Sequence, residues 1–170
     1  MEPRLGGFLE RTSHQKGAQT GPNPTDRAKA GSKHHLLVDR AGHPLAVGLT
    51  AANRPDVNEL LPLVDAVPPV RGRRGRPRRR PVKLHADKGY ASRANRCGLR
   101  RRHITPRIAR PGIESSERLG RHRWVVERQL ALLHRMRRLR VRDERRDDIH
   151  FALLQLGCSL LLLRSLEAFC

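Results

Sequence analysis

Two short β-prone runs, His35-Leu36-Leu37-Val38-Asp39 and Pro44-Leu45-Ala46-Val47-Gly48-Leu49-Thr50, flank the turn Arg40-Ala41-Gly42-His43. Runs of this kind joined by a glycine-containing turn form an antiparallel hairpin, so this part of the chain is committed to a sheet. The spacing downstream changes period. Val57, Leu60, Leu61 and Val64 recur at helical intervals behind Asp56, which stands where an N-cap would, and Pro68-Pro69 stop that helix. Val82-Lys83-Leu84-His85-Ala86 is a second sheet element, ending on Asp87 at a Gly turn. Ser92 is placed to cap a helix to about Arg101, and His103-Ile104-Thr105-Pro106-Arg107-Ile108 reads as a further strand. A loop from Gly112 to Gly120 precedes a long helix from Arg121 to about Leu139, with Trp124, Val125, Leu130 and Leu133 on or near its apolar face. A last, Leu-rich helix runs from Asp147 or Asp148 to about Phe169 and packs on the sheet. The sum is a mixed α/β domain over 34–170. Residues 1–33, rich in Gly, Pro, Thr and charge and without an apolar period, are expected to be loop or poorly ordered.

The charge of the chain decides its partners. Lys and Arg number 36 against 16 Asp and Glu, a net +20, with a pI near 11.7. Such a field attracts polyanions, nucleic acid first. Seven of the ten residues from Arg71 to Arg80 are arginine, with two glycines and a proline between them, which makes a loop that nothing can bury. Its arginines Arg73, Arg74, Arg76, Arg78, Arg79 and Arg80 either lie along DNA or form a solvated surface; composition alone weighs the two evenly. An anionic membrane is the rival partner, but the basic residues are not gathered on one amphipathic helix. The apolar run Phe151–Leu163 contains Gln155 and is shorter than the roughly 18 residues of a membrane span, so a buried helix is the better reading. Aromatic residues are 3% of the chain, too few for a row of stacking side chains along a single strand. Cys97, Cys158 and Cys170 are odd in number and not in metal-ligand spacing, which reads as reduced thiols in the cytosol. No secretory signal of useful length opens the sequence, and His34-His35 reads as packing or solvent-facing rather than a metal pair.

Two carboxylates stand out in this basic background. Asp87, in His85-Ala86-Asp87-Lys88-Gly89-Tyr90, closes a strand; Glu127, in Arg123-Trp124-Val125-Val126-Glu127-Arg128, sits on a helix among arginines. Phosphodiester cleavage by two metal ions needs carboxylates from separate elements that converge on cations about 3.5–4 Å apart. Acidic oxygens hold Mg²⁺ while arginines hold phosphate. On spacing alone the plainer reading weighs more: Asp87 caps a turn and Glu127 pairs with an arginine. Asp39 reads as a turn carboxylate and Asp26 as solvated.

The motifs shift that balance. Asp87-Lys88-Gly89-Tyr90, Arg123-Trp124-Val125-Val126-Glu127-Arg128 and Arg137-Arg138-Leu139 resemble bacterial insertion-sequence transposases of the DDE type, in the IS-five-like group. So do Thr20-Gly21-Pro22-Asn23-Pro24-Thr25-Asp26-Arg27, Gly31-Ser32-Lys33-His34-His35-Leu36, Asn53-Arg54-Pro55-Asp56, the block from Arg74 to Arg78, and Arg145-Arg146-Asp147-Asp148-Ile149-His150. The resemblance runs in order from about Lys16 to Phe169. It implies a ribonuclease-H-like mixed sheet flanked by helices, an acidic triad holding two Mg²⁺ or Mn²⁺ ions, and DNA cleavage and strand transfer at inverted-repeat ends by a homodimer in the bacterial cytoplasm. Asp87 would be the second acid and Glu127 the third, with Arg123 and Arg128 beside it on DNA phosphate. The first acid should lie on the opening strand, and laid back without gaps it falls on or near Gly7; the nearest carboxylate is Glu10. Gly120, Gln129, Leu132 and His134 also depart from the family pattern. The resemblance therefore implies a C-terminal transposase part, incomplete at its first strand and lacking the DNA-recognition region that precedes it, as in a truncated copy or the second of two frames joined by frameshifting. Its alternatives are a DNA-binding remnant that does not cut and, more weakly, an RNA-associated basic protein.

Overall fold

The computed structural model describes residues 4–13, 17–24, 27–71, 76–109 and 117–167; the side chains of 4–12, 117–123 and 167 lie outside that description. The chain runs β1 (Arg4–Thr12), β2 (Gly21–Pro22), β3 (Ala30–Val38), β4 (Pro44–Ala51), α1 (Leu60–Asp65), β5 (Lys83–Ala86), α2 (Arg93–Arg101), β6 (Thr105–Ile108), α3 (Glu117–Arg135), α4 (Arg137–Arg140) and α5 (Asp147–Glu167). Short 3₁₀ turns at Asp56–Asn58 and Lys88–Tyr90 precede α1 and α2.

The strands form one mixed sheet. β3 runs antiparallel to β1 on one side and to β4 on the other, where the two-residue β2 also pairs. β5 lies parallel to β1, and β6 parallel to β5. The sheet has helices on both faces. On one, Leu37, Leu84, Ala86 and Tyr90 pack with Leu60, Leu63 and Val64 of α1 and with Leu99 of α2. On the other, Leu36 and Val38 pack with Val125, Val126, Leu130 and Leu133 of α3, with Leu139 of α4, and with Leu154, Cys158 and Leu161 of α5. β3 is buried along nearly its whole length because it is covered on both faces and paired on both edges.

The hairpin, the strand before Asp87, and the Ser92 cap follow the sequence reading closely. Ser92 Oγ accepts from the Asn95 amide at 2.9 Å. Asp39 organises its turn as expected, its carboxylate accepting from the amides of Ala41 and His43, each at 2.9 Å.

Four expectations are corrected. The first concerns the opening segment, expected to be poorly ordered and to leave the sheet incomplete at its first strand: residues 4–12 are β1, between β3 and β5 at the middle of the sheet. Its order comes from backbone pairing on both edges, which needs no alternation of apolar side chains. Asp26, by contrast, lies outside the described residues. Second, Asp56 is not an N-cap. Its carboxylate is engaged by Lys33 Nζ at 3.1 Å, and the helix behind it is only a 3₁₀ turn followed by the six-residue α1. Third, the long helix begins at Glu117 and breaks at Met136, whose backbone is extended, so that α4 is a separate turn. The break seats against Gly157 of α5. A Cβ there would come within 2.9 Å of Leu139 Cδ1 and 3.0 Å of Leu133 Cδ2, so a larger residue would make those leucine ends shift. On α3, Val125, Leu130 and Leu133 are buried, but Trp124 is 52% exposed. Fourth, α5 is half-buried rather than buried. It packs through one side on β4, α3 and α4, while Ile149, Leu156, Leu160, Leu163 and Leu166 remain exposed. Its Asp147–Leu166 segment is, by length and mean hydropathy, the one stretch among the described residues able to cross a membrane.

Candidate active site and nucleic-acid interface

Asp87 is carried at the end of β5. Along that strand Leu84 and Ala86 enter the α1/α2 core, so the two-residue alternation places Lys83, His85 and Asp87 toward the opposite face, the one α3 covers. Asp87 keeps extended backbone angles, and its Oδ1 accepts from the Lys88 amide at 2.7 Å. Thus the carboxylate does cap its turn, as the plainer reading had it.

The turn itself is tied to the neighbouring strand. Tyr90 is fully buried, and its hydroxyl meets His35 Nδ1 at 3.0 Å, while His35 Nε2 meets Thr50 Oγ1 at 2.8 Å. This links β5, β3 and β4 through one imidazole. Beneath the same turn, the position of a Cβ at Gly89 lies 3.5 Å from Asp56 Oδ2, so the Lys33–Asp56 ion pair backs the Asp87 loop. Sequence reasoning missed this support. Its contacts join residues 15 to 55 positions apart, and only the motifs that carry most of them, Lys33-His34-His35, Asn53-Arg54-Pro55-Asp56 and Asp87-Lys88-Gly89-Tyr90, signalled it.

Burial, with Lys33 adding to it, lowers the pKa of His35 from 6.5 to about 4. The unfolded chain therefore binds a proton between these values that the folded chain refuses. The stabilisation is full above pH 6.5 and is lost as the pH falls toward 4, by roughly 3 kcal/mol for a shift of this size. Urea midpoints between pH 7.5 and 4.5 are expected to fall accordingly, with a shallower fall in His35→Gln; an equal slope in both proteins would assign the acid loss elsewhere.

Glu127 lies on α3, exposed, on the helix that packs against β1 and β3. The helix that bears Glu127 thus covers the face toward which Asp87 is directed, with Glu127 itself on the exposed side of that helix. Beside β5 runs β1. Its residue Arg4 pairs with His85 of β5, so two steps further along both parallel strands Gly6 comes level with Asp87, and Gly7 follows it where the strand bulges between Gly6 and Leu9. Among the described residues no three His, Cys, Asp or Glu side chains stand together as metal ligands.

The expected arginines fare differently. Arg73 and Arg74 lie outside the described residues, as does the side chain of Arg123. Arg76, Arg78, Arg79 and Arg80 are exposed and, with Pro77, line an open cleft. The loop is closed at its base by a two-way backbone bridge between Val70 and Arg78, at 2.8 and 2.9 Å. Arg128 turns back on the protein. Its guanidinium lies over the Trp124 ring, 5.2 Å from the centroid, and donates to the Ala41 carbonyl at 3.4 Å.

His34 and His35 are both fully buried, in keeping with packing. His34 Nε2 meets Nε2 of His150 on α5 at 2.9 Å, and His150 Nδ1 meets Glu144 Oε2 at the same distance. Cys97 is exposed and free; Cys158 is buried and free, its thiol pushed up to about 12 by burial; Cys170 lies outside the described residues.

Residues 7–162 match the family described as Transposase DDE domain. The chain is 56% identical over 149 residues to a protein named putative transposase for insertion sequence element IS402, from Burkholderia cepacia, a match covering 88% of this chain and 71% of that protein. It is 29% identical over 117 residues to the transposase for insertion sequence element IS1106 of Neisseria meningitidis serogroup B, covering 63% of this chain and 37% of that one.

Proposed function

This chain belongs to the transposase DDE domain family, and from that premise we propose that it docks on the DNA ends of a bacterial insertion sequence and carries two of the three carboxylates needed to cut them. The observation that carries the reading is the placement of Asp87, at the end of β5, on the face covered by the helix that bears Glu127. A mixed sheet with helices on both faces and β1 at its middle supports the ribonuclease-H-like architecture. In it, Asp87 serves as the second acid and Glu127 as the third.

Among the described side chains, Asp87 and Glu127 are the two carboxylates proposed to hold a divalent pair, Mg²⁺ or Mn²⁺, and the side chain of Glu10 on β1 lies outside that description. β1 is the strand that should bring the first acid, and level with Asp87 it carries the glycines Gly6 and Gly7. Two carboxylates do not fix two cations, so no cleavage step is assigned to the chain as it stands. What remains is binding. The cationic surface supports it, with Arg76, Arg78, Arg79 and Arg80 exposed around one cleft and a net charge of +20 behind them. A homodimer on paired ends is the assembly proposed, and the uncharged stripe Ile149, Leu156, Leu160 and Leu163 on α5 supports self-association at helical spacing.

The test is a salt titration. Phosphate contacts release counterions, so each one lost flattens the dependence of log K on log salt by about 0.9. Arg78, Arg79 and Arg80 replaced together by Ala are expected to weaken binding to all duplexes alike and to lower the slope by about two to three. Fluorescence anisotropy of a labelled duplex reads both quantities. An unchanged slope would remove this loop from the interface.

A further inference from the structure

Resting on the proposed DNA reading, we infer that Trp124 is a stacking surface for an unpaired nucleobase, set beside Glu127 and steadied by Arg128. Three observations converge on it. Trp124 is the single tryptophan of the chain, and half of its surface is exposed although the next two residues, Val125 and Val126, are buried. Among the described residues, apart from Val82, the other exposed large apolar side chains all belong to α5, so Trp124 is not part of that stripe. Its neighbours at helical spacing are Glu127, three residues on, and Arg128, four residues on; all three are exposed and share one face of α3.

The indole is held in place. Arg128 covers it at 5.2 Å while donating to the Ala41 carbonyl, in the β3–β4 turn that the Asp39 carboxylate organises. A guanidinium tied at its far side to backbone keeps the ring from sweeping freely, and it places a positive charge over one face of the ring. A ligand that suits this arrangement has a flat π face and carries negative charge, which is the description of a nucleotide in a field of +20. Stacking is indifferent to which base is offered, because every base has a π face. It does require that the base has left the duplex stack, and bases at a strand end or overhang do so most readily. One indole beside a candidate catalytic carboxylate acts on one nucleotide, unlike the rows of aromatic residues that coat single strands.

The single tryptophan makes the experiment direct. The full chain is titrated with duplexes of matched length, either blunt or carrying a one-nucleotide 3′ or 5′ overhang, with the overhanging base present or abasic. Tryptophan emission and anisotropy of a labelled strand are read together. The expected result is quenching with a base-bearing overhang, little quenching when that base is missing, and about tenfold tighter binding of the base-bearing DNA than of its abasic twin. In Trp124→Ala that affinity ratio falls to about one, and in Trp124→Phe most of it is retained. Circular dichroism confirms that both variants are folded. Equal emission and equal affinity for the two overhangs, with anisotropy showing normal binding, would overturn the stacking and leave the DNA reading intact. Absence of binding to any duplex at low salt would overturn both. Emission that changes with protein concentration before DNA is added would give the indole to a second copy of the chain and overturn the proposal.

Discussion

Arg142→Ala is expected to lower folding stability by about 3–5 kcal/mol, the scale reached when a buried charged hub is removed from its partners. Arg142 is fully buried, among the largest side chains that are. Its guanidinium donates from Nε to the Glu144 carbonyl at 3.0 Å, from Nη1 to the Gln19 carbonyl at 3.1 Å and Ser32 Oγ at 2.8 Å, and from Nη2 to the Ala18 carbonyl at 2.8 Å and the Arg145 carbonyl at 3.3 Å. Its own carbonyl accepts from Ser13 Oγ. One side chain therefore joins the loop after β1, the start of β3 and the connection from α4 to α5. Burial lowers its pKa, and the nearby carboxylates of Asp147 and Glu144 act against that. The guanidinium stays charged at neutral pH, since arginine does not give up its proton in proteins.

Removing it takes a donor from four carbonyls and a hydroxyl, of which the Gln19 carbonyl keeps that of Ser32 Oγ, and leaves a cavity at the junction of three segments. Against a net stability of about 5–15 kcal/mol this is a large fraction. A drop in melting temperature of about 10–15 °C follows for a chain of this length. Arg142→Lys is expected to recover less than half, because an ammonium offers three donors in place of a planar fork of five. Urea denaturation of the three proteins measures this. A loss below 1 kcal/mol in Arg142→Ala would mean that the loops stay joined without the guanidinium.

Arg142 also marks where sequence reading stops. Its partners among the described residues include Ala18, Gln19 and Ser32, from 110 to 124 residues away, and most are backbone carbonyls that any residue could supply. Nothing in Arg140-Val141-Arg142 distinguishes the buried arginine from its exposed neighbours by type. The His34–His150 contact, across 116 residues, is hidden in the same way. The hairpin at 35–50, the strand that delivers Asp87 and the Ser92 cap were legible because each is settled within ten or so neighbouring residues by side-chain period and turn chemistry. β1 was not. Arg4-Leu5-Gly6-Gly7-Phe8-Leu9-Glu10-Arg11-Thr12 has no alternation, and it is a strand because β3 and β5 flank it. The candidate site divides along the same line. Asp87 and Glu127 are candidates from motif and placement alone, whereas Tyr90, His35 and the Asp56–Lys33 pair, which hold the Asp87 turn, required the fold.

Gly7→Asp is expected to raise divalent-metal-dependent DNA nicking by a factor on the order of 10³ over the parent protein, the scale on which single groups of a catalytic set act. The reasoning is positional. β1 runs parallel to β5 with Arg4 opposite His85, so the Gly6-Gly7 pair is the segment of the central strand that passes Asp87. Under the proposed roles of Asp87 and Glu127, an aspartate introduced there supplies the third carboxylate, whose place on the opening strand the family resemblance puts on or near Gly7. Without metal, the new carboxylate repels Asp87, and the variant is expected to melt below the parent. Mn²⁺ or Mg²⁺ then raises its melting temperature more than the parent's, because an ion that binds only the folded state stabilises it by mass action. That thermal shift reads metal binding without any catalysis. Nicking of an end-labelled duplex reads the chemistry, and Gly7→Asp combined with Glu127→Gln is expected to lose it while still binding DNA. Gly7→Asn supplies a similar volume without the charge and is expected to do neither. If Gly7→Asp folds, gains no metal-dependent shift and cuts no DNA, then Asp87 and Glu127 do not share a metal site with this strand, and their roles as second and third acids fall with it.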